Sequence, residues 1–362
     1  MAGVDWHVNR CNEQGRAVID ALRQALIEAR SPLADAPMQL LADKGLAHAH
    51  VRINGSGVLA RLPKQSQLGL SAPEHLRYEA ACFERAAPSG HTPRLHGVLA
   101  PSTHLPRGGL LVEEIVGRTA RLPADLPAIA QALAAMHALP MPPHAQRPPL
   151  LDPADALLAL RDEIAAQAVH LDAAALHADA RGVIDTELHR LDAICRMAAR
   201  PAARLIAFDA HPGNFLVDDG GRAVLVDLEK ARYGAPPLDL AHATLYTSTT
   251  WDLAASAVLN LDELLLAYGA WREACRDAAA FDAWLVPLRR AMWLWSVSWC
   301  AKWRVLSARE ARQAADGEDW SAERSDAALV RHVRDRVDHY LSPEIVHRVR
   351  AEADQLEGLL ER

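Results

Sequence analysis

The sequence contains no C-x-x-C pair, and its five cysteines, Cys11, Cys82, Cys195, Cys275 and Cys300, are odd in number and widely separated. That pattern excludes a disulfide framework and a zinc site built on paired thiolates, and it fits a reducing cytoplasm. Basic residues are in deficit: 39 Lys and Arg against 46 Asp and Glu leave a formal charge of -7. Phosphate-backbone binding needs a basic face, so no nucleic-acid partner is expected, and the acidic balance favours a cationic ligand instead. No uncharged apolar run approaches membrane-spanning length, and the N-terminus "MAGVDWHVNRCNEQ" has no basic region leading into an apolar core. Neither a membrane span nor export is expected. Internal repeats and low-complexity tracts are also missing. What is there is a chain of 362 residues, half of them apolar, long enough to bury one large core or two medium ones in a soluble globular protein. Composition leaves the oligomeric state open.

Along the chain, "GRAVIDALRQALIEAR" places Val18, Ile19, Leu22, Ala25, Leu26 and Ala29 on one helical stripe. Residues 38 to 63 then read as short strands, "MQLLAD", "HAHVRI" and "GVLARL", with Gly45 and the segment Asn54 to Gly57 as turns. "PEHLRYEAACFERAA" is a helix with Pro73 near its start, and a strand pair follows around "RLHGVLA" and "GGLLVEEI". After about residue 118 helical patterns dominate, with the segment from Ile206 to Ala231 as the single exception. The expected class is therefore α+β, with a small strand-rich N-terminal lobe and a large helical C-terminal lobe joined near Val112 to Gly117.

The exceptional segment, "IAFDAHPGNFLVDDGGRAVLVDLEKA", carries Asp209, Asn214, Asp227 and Glu229 around a turn. Asp218, Asp219, Gly220 and Gly221 are turn formers between two apolar runs, which predicts a β-hairpin. An even loop centred between Asp219 and Gly220 sets Asn214 opposite Leu225, with Asp227 two residues further on the same face. Asn214 and Asp227 are then diagonal neighbours, with Cβ atoms roughly 7 to 8 Å apart, a gap that one cation bridges. Glu229 joins them if the strand continues. Hard oxygen ligands of this kind suit Mg²⁺. Asp209 stands outside the hairpin, across the Pro212-Gly213 bend, as a carboxylate free to act as a base.

At these residues the chain resembles the aminoglycoside phosphotransferase and choline kinase family, which has a protein-kinase-like fold. The family's catalytic loop usually runs H-G-D-x-H-x-x-N, and here residues 207 to 214 read "AFDAHPGN"; the D-x-E-type strand that follows is "VDLEKA". "VLARLP" resembles the strand with the phosphate-contacting base, "RYEAACFERA" the helix with its partner Glu, "LLVEEIVGR" the interlobe hinge, "LAAMHALP" a helix common in the family, and "APPLDLAHA" the segment with a buried Asp. Together these matches cover most of the chain.

The resemblance implies a bilobal fold with residues 1–113 as the nucleotide-binding lobe and its helical extension, and 114–362 as the helical lobe with catalytic loop and acceptor site. It implies Asp209 as catalytic base, Asn214 and Asp227 as Mg²⁺ ligands with Glu229 as a further candidate, and Glu79 as the carboxylate that orients a phosphate-binding Arg61 or Lys64. Asp239 would brace the catalytic loop, and adenine would bond the backbone near Glu113 to Ile115, between the lobes. The expected activity is transfer of the γ-phosphoryl of ATP, with GTP left open, to a hydroxyl of an amino alcohol, aminoglycoside or related polar metabolite, cationic acceptors included.

Three positions depart from the family pattern: Ala207 stands where His is usual, Arg61 where Lys is usual, and "DKGLAHAH" holds a single glycine. They motivate the alternative of a catalytically silent nucleotide-binding protein. His211 reads as a phosphate contact or a loop hydrogen bond, Asp239 as brace or helix N-cap, and Glu229 as metal ligand or the ion-pair partner of Lys230 or Arg232. Trp295, Trp299 and Trp303 form one stripe that packs into the core or presents rings to an ammonium group by cation-π attraction. Asp252, Asp262 and Glu263 are candidate ammonium partners, and "RHVRDRVDHY" reads as a solvated helix face.

Overall fold

A computed structural model gives the fold of residues 4–42, 47–307 and 327–360; Gly45 and its neighbours in "DKGLAHAH" from Asp43 to Leu46 lie outside the described residues. The expected N-terminal helix is α1 (Val4–Glu28). Leu22, Ala25 and Leu26 of its stripe are buried. Ala29 is exposed, because the helix has ended before it. Arg30 takes a left-handed φ of 51°, and the amides of Arg30 and Ser31 close back on the carbonyls of Ile27 and Leu26. These are the two bonds of a Schellman ending.

By packing, the chain divides into two units. The first takes the residues up to Glu84 and Pro93–Ile115; the second takes Arg85–Thr92, residues 116–307 and the C-terminal residues from Val330. In the first unit, α1 is followed by β1 (Met38–Leu40), β2 (His48–Ile53), β3 (Val58–Pro63), α2 (Ala72–Ala86), β4 (Leu95–Leu99) and β5 (Gly109–Glu113). The expected meander and strand pair join in one five-stranded antiparallel sheet, ordered β1-β2-β3-β5-β4. Alternation along β2 and β3 divides the labour between its faces. Val51 opposite Ala60 and Ala49 opposite Leu62 pack with Leu22 and Leu26 of α1. Each such leucine contributes about 1.5–3 kcal/mol by leaving water. His48, His50 and Arg61 fall on the alternate positions, where Glu79 and Phe83 of α2 meet them.

The second unit begins with β6 (Arg118–Thr119), α3 (Leu126–His137), α4 (Ala156–Ala168) and α5 (Ala178–Cys195). Then come β7 (Arg204–Ile206), β8 (Phe215–Val217), β9 (Ala223–Leu225) and β10 (Arg232–Gly234). The helices α6 (Pro237–Thr244), α7 (Tyr246–Thr249), α8 (Leu261–Ala274), α9 (Leu285–Ser307), α10 (Ala327–Tyr340) and α11 (Pro343–Leu360) complete it. The helical expectation after residue 118 therefore missed β6, β7 and β10, strands of two or three residues, too short to show an alternating pattern. The unit's core is helical: α9 packs on α4, α5 and α6, and α3 packs on α8. Asn260 and Glu263 form a reciprocal capping box at the start of α8, so Glu263 is a helix cap rather than an ammonium partner. Asp262 beside it is exposed. Val333, Val337 and Tyr340 bury one face of α10, and its Arg and Asp residues take the rest. No helix among the described residues is long and apolar enough to cross a membrane. Cys82, Cys195, Cys275 and Cys300 are buried and outside any disulfide.

Candidate active site

The hairpin forms, but in a different register from the one expected. Phe215 pairs with Leu225 and Val217 with Ala223, so Asn214 stands opposite Val226, whose amide donates to the Asn214 carbonyl at 2.9 Å. The cause is the loop. Asp218 and Arg222 still bond across it, at 3.0 Å, leaving three residues outside, the last of them Gly221 at φ 80°. A three-residue loop with a left-handed glycine adds one residue to the symmetric turn and moves the pairing by one. Asp218 is confirmed as a turn former: its Oδ1 accepts the amides of Gly220 and Arg222 at 3.0 and 2.9 Å. The shared-face argument for Asn214 and Asp227 therefore fails. Strand β9 ends at Leu225, and the chain turns through Leu228 and Ala231, whose backbone bond is 2.9 Å, so Glu229 does not continue a strand face either. Asn214 and Asp227 are nonetheless neighbours, because Asp227 directly follows the residue bonded to Asn214.

The segment from Ala207 to Asn214 is held from two sides. Asp239, fully buried in the first turn of α6, accepts the Ala207 amide at 2.7 Å on Oδ2 and the Phe208 amide at 2.8 Å on Oδ1. It does not cap its own helix, where Pro236 is the N-cap. His137, the last residue of α3, places Nε2 3.0 Å from Asp239 Oδ2, and Trp271 of α8 donates to His137 Nδ1 at 3.0 Å. A bulky residue with left-handed backbone is costly, by about 1–3 kcal/mol. Phe208, at φ 60°, is such a residue, and the carboxylate that takes its amide and its neighbour's holds it there. The anchoring of this loop thus comes from Asp239, His137 and Trp271, with Ala207 itself buried and apolar. On the other side, Asn214 donates from Nδ2 to the Asp209 carbonyl at 2.9 Å.

The Asp209 side chain is 14% exposed and faces Lys230, whose Nζ lies 2.6 Å from Asp209 Oδ2. The β7–β10 pairing explains this contact. Arg232 pairs with Ile206. Two residues outward along each strand lie Lys230 and Phe208, and Asp209 is next. His242 of α6 approaches Asp209 Oδ1 at 3.7 Å. Burial alone would raise the Asp209 carboxyl, but the Lys230 ammonium beside it holds it below the usual carboxylate range. Burial pushes His242 down to about 4, and His211 is likewise lowered, so both are neutral at pH 7. The Glu229 charge acts on Lys230, one of the ion-pair options that the sequence allowed, but the close contacts of Lys230 and Arg232 are with other carboxylates. Lys230 bonds Asp209 and Arg232 bonds Glu163 at 2.8 Å. Glu229 is buried, and the Asp227 carboxylate lies 3.4 Å from its amide.

Gly213 has no room for a side chain: an added Cβ would lie 2.7 Å from Asp252 Oδ2 and 2.9 Å from His211 Cε1. Asp252 is therefore packed beside this loop, with its Oδ1 capping Ala254 at 2.8 Å. Trp295 and Trp303 are buried, while Trp299 meets Trp251 edge-on with centroids 5.8 Å apart.

In the first unit, Arg61 and Glu79 form a buried pair, Nη2 to Oε1 3.7 Å, rather than a surface one. Residue His48 lies closer, Nε2 to Oε1 2.7 Å, and sequence reasoning missed it. Its only signal was its place two residues before His50, which stands opposite Arg61. Burial opposes the Glu79 charge, yet His48 and Arg61 hold its pKa down at about 2. Arg61 also stacks over Phe83, 5.5 Å from the ring centre. Lys64 is half-buried just after β3. The Glu113 amide donates to Arg94 O and the Glu114 amide to Gly57 O, both at 2.8 Å, so these two donors are used inside the sheet.

Comparison with known proteins agrees with this geometry. The family model of the phosphotransferase enzyme family (APH) matches residues 43–284. No curated protein matches the chain. Among solved structures, a choline/ethanolamine kinase family protein from Mesorhizobium loti shares 19% identity, covering 93% of this chain and 99% of its own, with a TM-score of 0.53. An ethanolamine kinase from Plasmodium vivax shares 12% identity, with 88% and 85% covered and a TM-score of 0.55. A spectinomycin phosphotransferase, solved with ADP and spectinomycin, shares 11% identity, with 89% and 94% covered and a TM-score of 0.54. At these identities the likenesses establish the protein-kinase-like fold. The family match covers most of the chain, and on it the chain belongs to the phosphotransferase enzyme family.

Proposed function

We propose that this enzyme uses ATP with Mg²⁺ to phosphorylate a hydroxyl of a small polar metabolite, of the amino alcohol or aminoglycoside kind or a related one. The observation that carries the reading is the fixing of Asp209 between two anchors, Asp239 on the amides before it and Asn214 on its carbonyl. In phosphoryl transfer the protein contributes position and charge more than covalent chemistry. The acceptor oxygen bonds to the γ-phosphorus as the bond to the β–γ bridging oxygen breaks and ADP leaves; Asp209 aligns the hydroxyl and receives its proton. A carboxylate of lowered basicity suits a reaction in which that proton moves late.

The donor set fits a hard divalent cation. The Asn214 amide nitrogen is occupied by the Asp209 carbonyl, which turns its Oδ1 into the available donor, and Asp227 adds a carboxylate with Glu229 as the third candidate. Magnesium bound there would offset the charge of the phosphates. In the first unit, Arg61 is the candidate phosphate contact, positioned by Glu79 and His48, with Lys64 as its rival. With the Glu113 and Glu114 amides already paired, adenine would use the Ile115 amide and the Glu113 carbonyl at the end of β5. Ala207 motivates a silent-protein alternative, but the Asp239–His137 anchor supplies the support that position lacks, which favours turnover. The test is a screen for Mg²⁺-dependent ATP consumption over hydroxylated acceptors. Nucleotide binding with no turnover on any acceptor would favour the silent alternative.

A further inference from the structure

An ammonium-binding subsite needs a carboxylate and an aromatic face turned to the same point. The second unit builds such a point beside Asp209, and the chain's own lysine fills it. Lys230 Nζ sits 2.6 Å from Asp209 Oδ2 and 5.5 Å from the centre of the Trp295 ring. The subsite is rigid. Trp295 donates from Nε1 to Glu163 Oε1 at 2.7 Å, and the other Glu163 oxygen takes Arg232 at 2.8 Å. Arg232 in turn lies 3.7 Å over the Phe208 ring, and Phe208 meets Trp295 edge-on at 5.3 Å. Four separate elements therefore hold the aromatic wall against which Lys230 rests, and Lys230 is only 12% exposed.

We propose that Lys230 is a specificity-determining residue: by occupying the ammonium subsite beside Asp209 it selects acceptors whose reacting hydroxyl is flanked by an uncharged or anionic group, and excludes those flanked by an ammonium. This inference rests on the kinase reading above and narrows its acceptor class, removing the amino alcohols and keeping the related polar metabolites. Its physical basis is charge. Asp209 is already ion-paired with Lys230, so an incoming ammonium meets a carboxylate that is taken and would have to displace a cation of the protein itself. It would also meet the Lys230 charge at close range in a partly dry site. A hydroxyl, an ether or a carboxylate oxygen instead accepts a hydrogen bond from the ammonium while the reacting hydroxyl turns to Asp209. The aromatic face that sequence reasoning offered to a substrate cation is thus used, at Trp295, by a cation of the protein itself.

The test compares matched acceptors on the full-length wild-type enzyme with Mg·ATP: ethanolamine against ethylene glycol and glycolate, and choline against glycerol and glycerate. The uncharged and anionic members should be phosphorylated with kcat/KM at least about tenfold above their ammonium counterparts. In parallel, methylammonium is titrated by calorimetry into wild type, Lys230→Ala and Lys230→Ala/Asp209→Asn. It should bind only Lys230→Ala, which has the emptied subsite with its carboxylate. Ammonium acceptors turned over as well as their matched partners, or methylammonium binding wild type and Lys230→Ala alike, would overturn the inference alone. Absence of ATP turnover in every arm, with methylammonium still bound by Lys230→Ala, would instead remove the kinase reading and the acceptor class with it. The wild-type comparison decides the matter even if the variants do not fold.

Discussion

His137 Nε2 lies 3.0 Å from Asp239 Oδ2 while Trp271 donates to the opposite ring nitrogen at 3.0 Å. An indole N–H can only donate, so Nδ1 accepts and the imidazole proton is on Nε2, directed at the carboxylate. The Asp239 carboxylate then has three donors, two of them backbone amides that carry the segment leading to Asp209.

Truncation of that carboxylate leaves buried amides without a partner. Asp239→Ala should lose about 3 kcal/mol or more of stability, from bonds worth about 1.5–3 kcal/mol each to a charged acceptor. His137→Phe, which removes one donor to Asp239 and leaves the buried Trp271 indole without its acceptor, should lose a comparable amount. Urea unfolding measures both, and in the folded fraction kcat should fall far more than nucleotide affinity. Equal stability of Asp239→Ala and wild type would remove the brace.

Gly213 supplies a second, purely steric test. The Cβ of Gly213→Ala would fall 2.8 Å from the Asp252 Cβ and 2.9 Å from His211 Cε1, contacts that require the Pro212–Asn214 turn to shift. The expected stability loss is about 1–3 kcal/mol. Since Asn214 ends that turn, kcat should drop by about tenfold or more, from displacement of the order that disrupts positioning. Steady-state kinetics checks this, and an unchanged kcat would mean that the turn does not position Asn214.

In the first unit, Arg61→Ala should raise the KM for ATP and Lys64→Ala should leave it nearly unchanged, if Arg61 contacts the phosphates. Glu79→Gln removes the anion shared by His48 and Arg61. Breaking a buried pair in this way costs about 3–5 kcal/mol. Titration of ATP against each variant separates the two basic residues; the reverse order would assign the contact to Lys64.

Two buried histidines set an acid limit on stability. Burial lowers His75 to about 4 against the attraction of Glu79, and burial lowers His242 to about 4 against that of Asp209. Both are neutral in the folded chain above that value, whereas the unfolded chain protonates them below about 6.5. Stability attributable to them is complete above pH 6.5 and is lost as pH falls toward 4, by up to roughly 1.4 kcal/mol per pH unit for each histidine. Urea unfolding at pH 7.5, 6 and 5 measures the slope. His242→Gln should flatten it by about one proton, and an unchanged slope would contradict the assignment.

Most of the strand and helix order was legible because long periodic segments report their own environment: the α1 stripe, the β2 and β3 alternation and the helical second unit all followed from spacing. The hairpin was legible as a hairpin, but its register was not. The difference between a two-residue and a three-residue loop rests on the left-handed Gly221, and "DDGG" offers two glycines that could take that role. The sequence marked Asp209, Asn214, Asp227 and Asp239 by motif, and the structure ties Asn214 and Asp239 to the backbone around Asp209. His48 and His137 were invisible as partners, because their carboxylates lie far away along the chain. Lys230 was visible only as a neighbour of Glu229. Its contact with Asp209 depends on the pairing of β7 with β10, strands too short to be read from sequence.

The central claim is that Asp209 is the proton acceptor of an ATP-dependent phosphoryl transfer. The most direct measurement is single-turnover transfer from Mg·ATP, together with calorimetric nucleotide binding, on wild type and Asp209→Asn. The account predicts that transfer falls by at least about a hundredfold, the scale of general-base catalysis, while nucleotide affinity is largely retained. Transfer by Asp209→Asn at the wild-type rate would contradict it.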